Sequence, residues 1–535
     1  MYISRDGLCH DLVVYSKIFI YGAGDYANRV YVLLRNAGLT DRIEAFVVTK
    51  TIEKKQIGEI PIKCVTELHG LHEERDIILV ATGRKYENEI VEAIRNVHSV
   101  NVIKLTDYMV HDGDFFELLK AQPDENFIGN VIWGCLWYNI DVLCEFDKTV
   151  DECIAHRNRK CVDENLIVYI SGDMKSRSEK IIEALVKKSY HIIVLEYGFY
   201  NDLVRTEIMM NNVDFFHCKD ITELFYRALQ YRPFTYYFEP VWGDCTGSEI
   251  MIRHKALFGK VAFASYDILN DGYVQISENH KAKERYCLEN ADGIVWRWFS
   301  KEFLEEKKGF RYGGKSIQFP DYCKGFKSES ISDDRLKLCA IQGDIYEILS
   351  EDFQGEDDLY AQPAKIRAIL DSVGNINNCI FHMYIGRCDD NSKKKLKKFE
   401  KKYHNFKVFY GLTYNDLIHR ISEYDYGCFF MTGGKKIPEQ ESIDNVYYGS
   451  TYINSISNRY LDYLDAGIPI IGTHPRKQCK YLEEYGVIVQ MDLSNLNIDY
   501  LRKNKTIYKG AVEKAKNELL IDGHIQRLID WLHQL

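Results

Sequence analysis

The sequence predicts an α/β protein made of three parallel-sheet domains strung along one chain of 535 residues. Three observations lead there. The chain is too long for one hydrophobic core, since cores stop growing at about 250 to 300 residues. Apolar strand-like runs alternate with amphipathic helical stretches in three separate regions, as βαβ units do. Nine prolines against 38 tyrosines suit long, regular, well-packed elements, within an ordinary globular composition of 46% apolar and 28% charged residues.

The first unit, residues 1–112, opens with a strand from Lys17 to Tyr21 that runs into GAGDYANRVYVLLRNAG. Apolar residues from Ala27 to Leu34 recur at helical spacing, and Gly38 closes the helix. Strands follow from Ile43 to Val48 and Ile77 to Ala81, then a helix near Tyr86 to Val97 and a strand from Val102 to Lys104. The strand-to-helix turn carries Gly22-x-Gly24-x-x-Ala27, the right context for a dinucleotide fingerprint. A bound NAD would also want an acid at the end of the second strand, which ends instead in Thr49 and Lys50, while Glu44 lies at its start. Two readings stay open: an occupied nucleotide or sugar-nucleotide site, and a structural turn that needs small residues. With its own strands and turn the unit is expected to bury its own core, and a chain beginning near Glu125 is expected to fold without it.

Residues 113–165 contain FIGNVIWGCLWYNIDVLCEF and read as a helical connector. The second unit, residues 166–330, starts with LIVYIS and continues through an amphipathic helix and the strand HIIVLEYG. Further strands are expected at Phe234 to Phe238, Val261 to Ala264 and Gly293 to Trp296, with a helix through Lys281 to Glu289. The third unit, residues 331–535, starts with LKLCAIQG and continues with helix AKIRAILDSV, strand IFHMYIG, strand KVFYG, helix NDLIHRISEY and strand YGCFFM.

Next comes SNRYLDYLDAGIPII, Ser457 to Ile471, the most informative stretch of the chain. Ser457 can cap a helix, Gly467 can take the left-handed position that ends it, and Ile468 to Ile471 reads as a buried parallel strand. Arg459 sits in the first helical turn, where a cation faces the positive end of the helix dipole. A phosphate would resolve the conflict, because backbone N–H groups, dipole and guanidinium would all point at it. Asp462, one turn on, can accept hydrogen bonds from sugar hydroxyls such as those of a ribose. The plain alternative is an i,i+3 surface pair.

The stretch resembles the donor-site motif of GT-B fold glycosyltransferases, P-x-K-[LF]-x-E-Y-[LM]-A-x-G-x-P-[VI]-[VI]. Arg459 stands where the family has the lysine that meets the nucleotide diphosphate, and Asp462 where it has the glutamate that holds the ribose. Tyr463, Leu464, Gly467, Pro469, Ile470 and Ile471 match the rest. The resemblance covers about 370 residues, from Leu166 to Leu535, and implies that the last two domains form a cleft and that the final helices cross back onto the second domain. ENADGIVWRWFSKEFLEEKKG resembles the end of the family's acceptor-binding half, and the N-terminal unit resembles Rossmann-like nucleotide-sugar-binding modules of bacterial polysaccharide enzymes.

The resemblance implies a donor site of Arg459, Asp462, Asn458 and Tyr460, joined by Gly343 at a strand end and by Lys435 in the loop MTGGKKIPEQESIDN. Asp344 beside Gly343 is the wrong charge for a phosphate neighbour, and the lysine loop also reads as a solvated surface loop. Related retaining enzymes carry a second glutamate that would fall on Asn454, and an amide cannot replace it, so retention of configuration is not implied. An inverting enzyme needs a general base in the second domain. Asp267 is the candidate and Asp244 its rival, with helix capping or turn formation the competing fate of either.

The expected partners are a nucleotide-sugar donor and a glycan or lipid-linked acceptor, with no cofactor and no metal required. A net charge of −10 gives no basic footprint for nucleic acid. Fifteen scattered cysteines without a Cys-x-x-Cys point to reduced thiols rather than zinc or disulfides. No apolar run reaches the roughly 18 residues that cross a bilayer, and the N-terminus lacks a signal-peptide plan, so a cytoplasmic protein is expected. The basic run NSKKKLKKFEKKYHNFK reads as a solvated helix face or as a peripheral contact with the inner face of a membrane. Two further functions stay open: a non-catalytic nucleotide-sugar-binding or scaffold subunit of polysaccharide assembly, and a nucleotide-sugar oxidoreductase acting through the N-terminal unit.

Overall fold

The computed structural model describes residues 1–50, 52–138, 160–172, 174, 176–197, 210–240, 244–265, 277–297, 305, 312, 314–326, 335–342, 378–386, 388–429, 458–472, 482–491 and 496–535. The stretch AKIRAILDSV, expected as a helix, lies outside them.

Each of three domains is organised around a parallel sheet. In the first, Lys17–Tyr21 lies at the centre, flanked by Ile43–Val48 on one side and by Asp76–Val80 and then Asn101–Lys104 on the other, all parallel. A hairpin not foreseen from sequence, Gln56–Ile57 with Ile60–Cys64, extends the sheet beyond Ile43–Val48. The central strands are apolar on both faces because helices Asp25–Asn36 and Arg84–Arg95 accompany them.

Residues after 112 form two helices, Asp112–Ala121 and Asp124–Tyr138. The second is apolar nearly all round and is buried from Phe127 to Trp137. At Gly134 an added Cβ would lie 2.5 Å from Thr222 Cγ2 of the second domain and 3.2 Å from Tyr2 Cδ1 of the first. One hydrophobic core therefore runs from Leu34 through Phe127 and Trp133 to Leu224 and Phe225. Polar contacts fix the same junction: Lys120 pairs with Glu249 at 2.8 Å, and His254 lies between Asp124 Oδ1 at 2.8 Å and the Leu119 carbonyl at 2.6 Å. This corrects the expectation of a separable first unit. A chain beginning near Glu125 would strip one side from a helix that has no polar face to offer water.

Among the described residues the second domain has seven parallel strands: Asp163–Ser171, His191–Glu196, Val213–His217, Pro233–Glu239, Val261–Ser265, Gly293–Trp296 and Lys315–Gln318. In space they run third, second, first, fourth, fifth, sixth, seventh. The third domain repeats the plan with Leu336–Gln342, Cys379–Ile385, Phe406–Tyr410, Tyr426–Cys428, Ile470–Gly472 and Ile488–Gln490, in the order third, second, first, fourth, fifth, sixth. This is the doubly wound order, with ligand crevices expected at the carboxyl ends where the winding reverses.

The chain crosses between these two domains twice, side by side. Cys323, on the outward path, takes a hydrogen bond from Ile521 at 2.9 Å and gives one to the Leu519 carbonyl at 2.8 Å on the return. The last helix, Ile521–His533, then packs Ile525, Leu528 and Leu532 against Ile181 and Leu185 of the second domain. The expected return of the chain onto the second domain is thus present, and the paired sheets have the GT-B architecture.

Candidate functional site

Ser457, the expected cap, lies outside the described residues; from Asn458 on, the motif stretch forms the expected helix and left-handed glycine, and its strand is Ile470–Gly472. Asn458–Asp465 is a helix, Gly467 has a φ of 76°, and Ile468 to Ile471 are fully buried beside the fourth and sixth strands of the third domain. Tyr463 explains the helix's position. Its hydroxyl accepts from the Ile341 N–H at 2.7 Å and donates to the Cys428 carbonyl at 2.9 Å, so it is fastened to the carboxyl ends of the first and fourth strands. Its ring fits only because residue 427 is glycine: a Cβ there would lie 2.3 Å from Tyr463 Cδ1. The helix therefore starts at the edge where doubly wound sheets hold ligands.

Arg459 is half-buried in the first turn and stands close enough to Tyr463 to oppose, weakly, the burial that raises that phenol's pKa. Tyr460 is buried and tilted against Phe429 at 4.3 Å between ring centroids. Asn458 faces the second domain, where its side-chain oxygen takes a hydrogen bond from Arg297. Asp462 does not face open space. Its side chain is 9% exposed, and Oδ1 lies 3.6 Å from Lys180 Nζ of the second domain.

Lys180 is the centre of a buried ionic group at the seam. It pairs with Asp465 at 2.7 Å, and Asp465 also accepts from the backbone N–H groups of Lys324 and Gly325 and from the Tyr414 hydroxyl. Burial opposes the lysine's charge, but Asp465 and then Asp462 outweigh it and hold its pKa above the ordinary value. Asp465 is fully satisfied, whereas Asp462 Oδ1 is buried with no hydrogen-bond partner among the described residues. Burial raises the Asp462 pKa from 3.8 to about 6, against the pull of Lys180 and with help from Asp465.

A second buried group lies beside the first. Asp321, just past the last strand of the second domain, receives Arg177 on Oδ1 at 2.7 Å and Arg297 Nε on Oδ2 at 2.6 Å. Burial alone would raise its pKa, but the two guanidiniums lower it below the usual carboxylate value. Arg177, Lys180, Asp321, Asn458 and Leu461 line a pocket on the seam. None of Arg177, Lys180, Arg297 and Asp321 was singled out from sequence. Their signal was a pattern of lone charged residues at strand ends and first helical turns, which any surface loop also shows.

Of the other expected residues, Asp267, Lys435 and Gly343 lie outside the described residues, as do Asp344 and Asn454. Asp244 accepts the Thr246 N–H at 3.1 Å ahead of helix Thr246–Arg253, the turn-forming fate weighed for it. In the first domain Gly22 has a φ of 127°, and a Cβ there would lie 2.9 Å from the Ala81 carbonyl oxygen. Glycine is required at that turn by the backbone itself. Gly24 caps helix Asp25–Asn36, Ala27 is fully buried, and Thr49, where an acid would hold a ribose, is hydrogen-bonded to the Tyr21 hydroxyl. No group of histidine, cysteine and carboxylate side chains suited to a metal ion occurs among the described residues. No helix among them is long and apolar enough to cross a membrane.

No protein-family model matches the sequence, and no curated protein does. Solved structures are similar in fold. WaaG, a glycosyltransferase involved in lipopolysaccharide biosynthesis, is 10% identical over 69% of this chain and 99% of its own, with a TM-score of 0.40. Acinetobacter baumannii MurG is 9% identical over 70% and 100%, with a TM-score of 0.33. The match to the pneumococcal O-GlcNAc transferase GtfA spans 56% of each chain at 10% identity and a TM-score of 0.35. At identities and TM-scores this low the likeness decides nothing about substrate or chemistry.

Proposed function

We propose that the protein is a glycosyltransferase that moves a sugar from a nucleotide-sugar donor to a hydroxyl of a glycan or lipid-linked acceptor. The observation that carries this is the motif helix: its N-terminus bears Arg459 and starts at the carboxyl ends of the central strands, at the seam between two doubly wound domains. Backbone N–H groups, helix dipole and guanidinium together suit a diphosphate. As the bond to the sugar breaks, negative charge grows on the leaving diphosphate. Arg459, with Lys435 assigned to the same pocket, would offset that charge without a metal ion. Asn458, Tyr460 and Gly343 are assigned to the donor pocket with them.

Asp462 needs a different account from the simple ribose contact. Lys180 covers its carboxyl in this structure, so holding a ribose requires the seam to open. That burial favours the second reading, a subunit that binds a nucleotide sugar without turning it over. Release of free nucleotide from UDP-sugars, measured in the presence of EDTA, decides between them: turnover supports the transferase, and binding without turnover supports the binding subunit. A cytoplasmic location belongs to the same proposal. Helix Asp390–Lys402, which presents Lys393, Lys394, Lys397 and Lys398 to solvent, is the segment proposed to meet an anionic membrane surface.

A further inference from the structure

We propose that Glu239 is the base that takes the proton of the attacking hydroxyl, a role that rests on the transferase reading above. Glu239 ends the fourth strand of the second domain, paired in register with Ser171 at the end of the first. The strand order reverses between these two strands, which makes their carboxyl ends the crevice where doubly wound sheets hold ligands. A carboxylate is costly to bury there, yet Glu239 is only 5% exposed.

Its two oxygens are treated differently. Oε2 accepts hydrogen bonds from the Tyr169 hydroxyl at 2.5 Å and the Ser178 hydroxyl at 2.8 Å. Oε1 takes no hydrogen bond among the described residues. Tyr169 faces Glu239 from the adjoining first strand, Tyr237 from two residues back on the same strand, and Arg177 from the helix Ser176–Lys187, and beyond Arg177 lies Asp321. Burial raises the pKa of both phenols, so they remain neutral, and Tyr169 keeps its proton to donate to the carboxylate. Arg177 spends its own donors on Asp321 and the Phe319 carbonyl, so it adds positive potential beside Glu239 without occupying it. One oxygen is held in place and the other is left to accept, which is the division a positioned base requires.

Arg177, which stands beside Glu239, also lines the seam pocket with Asn458 of the motif helix, and so links the carboxylate to the helix proposed to hold the diphosphate. In the step itself the acceptor oxygen forms a bond to the anomeric carbon and passes its proton to Glu239 Oε1. The bond from that carbon to the diphosphate breaks, and its electron pair leaves with the diphosphate. Attack opposite the leaving group inverts the anomeric configuration.

The test uses UDP-glucose and UDP-N-acetylglucosamine as donors and water as the acceptor, so no glycan need be identified. Glu239→Gln keeps an oxygen for Tyr169 and Ser178 but cannot take the proton. It is expected to lower UDP release by about 100- to 10,000-fold and to remove the acidic limb of the pH–rate profile. UDP affinity and melting temperature should stay near those of the wild type. Tyr169→Phe, which only positions the carboxylate, should shift that limb and lower the rate less. Wild-type turnover by Glu239→Gln, or a sugar product of retained configuration by proton NMR, would overturn the assignment. Failure of the wild type to bind UDP would instead remove the transferase reading beneath it.

Discussion

Asp462 offers a quantitative check on the seam, because the structure buries its carboxyl with Oδ1 lacking a hydrogen-bond partner among the described residues, while Lys180, the nearest cation, is already paired with Asp465. Raising the pKa from 3.8 to about 6 means that ionisation opposes folding. At about 1.4 kcal/mol per pH unit the cost at pH 8 is about 3 kcal/mol at most. The direction follows from linkage: a carboxyl with a raised folded-state pKa contributes its stability fully below about pH 4 and loses it as pH climbs through about 6. Asn has nearly the same shape and cannot ionise. Asp462→Asn should therefore melt near the wild type at pH 4 and clearly above it at pH 8, and should weaken nucleotide-sugar binding if the carboxyl meets the ribose once the seam opens. The assay is a thermal melt of both proteins across that range. A stability difference that is the same at pH 4 and pH 8 would refute the claim that Asp462 is strained by burial.

Arg459→Ala should weaken UDP binding by about 1.5 to 3 kcal/mol, the usual loss for a hydrogen bond to a charged group, while leaving the melting temperature within a few degrees; calorimetry measures it. Gly427→Ala should cost about 1 to 3 kcal/mol or more, because the new methyl meets the Tyr463 ring at 2.3 Å, and should weaken nucleotide binding with it by displacing the helix. A chain cut before Glu125 should aggregate, since the helix Asp124–Tyr138 loses the first domain from one side; a soluble, cooperatively melting product would show that the shared core is dispensable.

Periodicity and punctuation made the sheets legible. Ile18 to Tyr21, Ala45 to Val48 and Gly293–Trp296 are continuous apolar runs bounded by helix signals, and two-face burial leaves few other assignments for such runs. Gly467 and Gly38 ended their helices in the left-handed conformation, as their positions implied. The hairpin at Gln56–Cys64 was not legible, because its strands are short and half-exposed and show no continuous apolar run. The site was only half legible. Arg459 and Asp462 stood out because charge at a helix start conflicts with the dipole or marks a ligand. Lys180, Asp321 and Arg297 did not, because their meaning lies in pairings across 144 to 285 positions of chain that no local pattern records. The integration of the first domain was missed for a related reason: FIGNVIWGCLW reads as a helix, but not which two domains it joins.

The most direct test of the proposed function is calorimetry of the full chain with UDP, UDP-glucose and UDP-N-acetylglucosamine, paired with Arg459→Ala under the same conditions. The account predicts a single site that binds UDP and is weakened at least tenfold in the variant. A wild type that binds none of the three, or a variant that binds UDP as tightly as the wild type, would contradict the assignment of the motif helix as the diphosphate site.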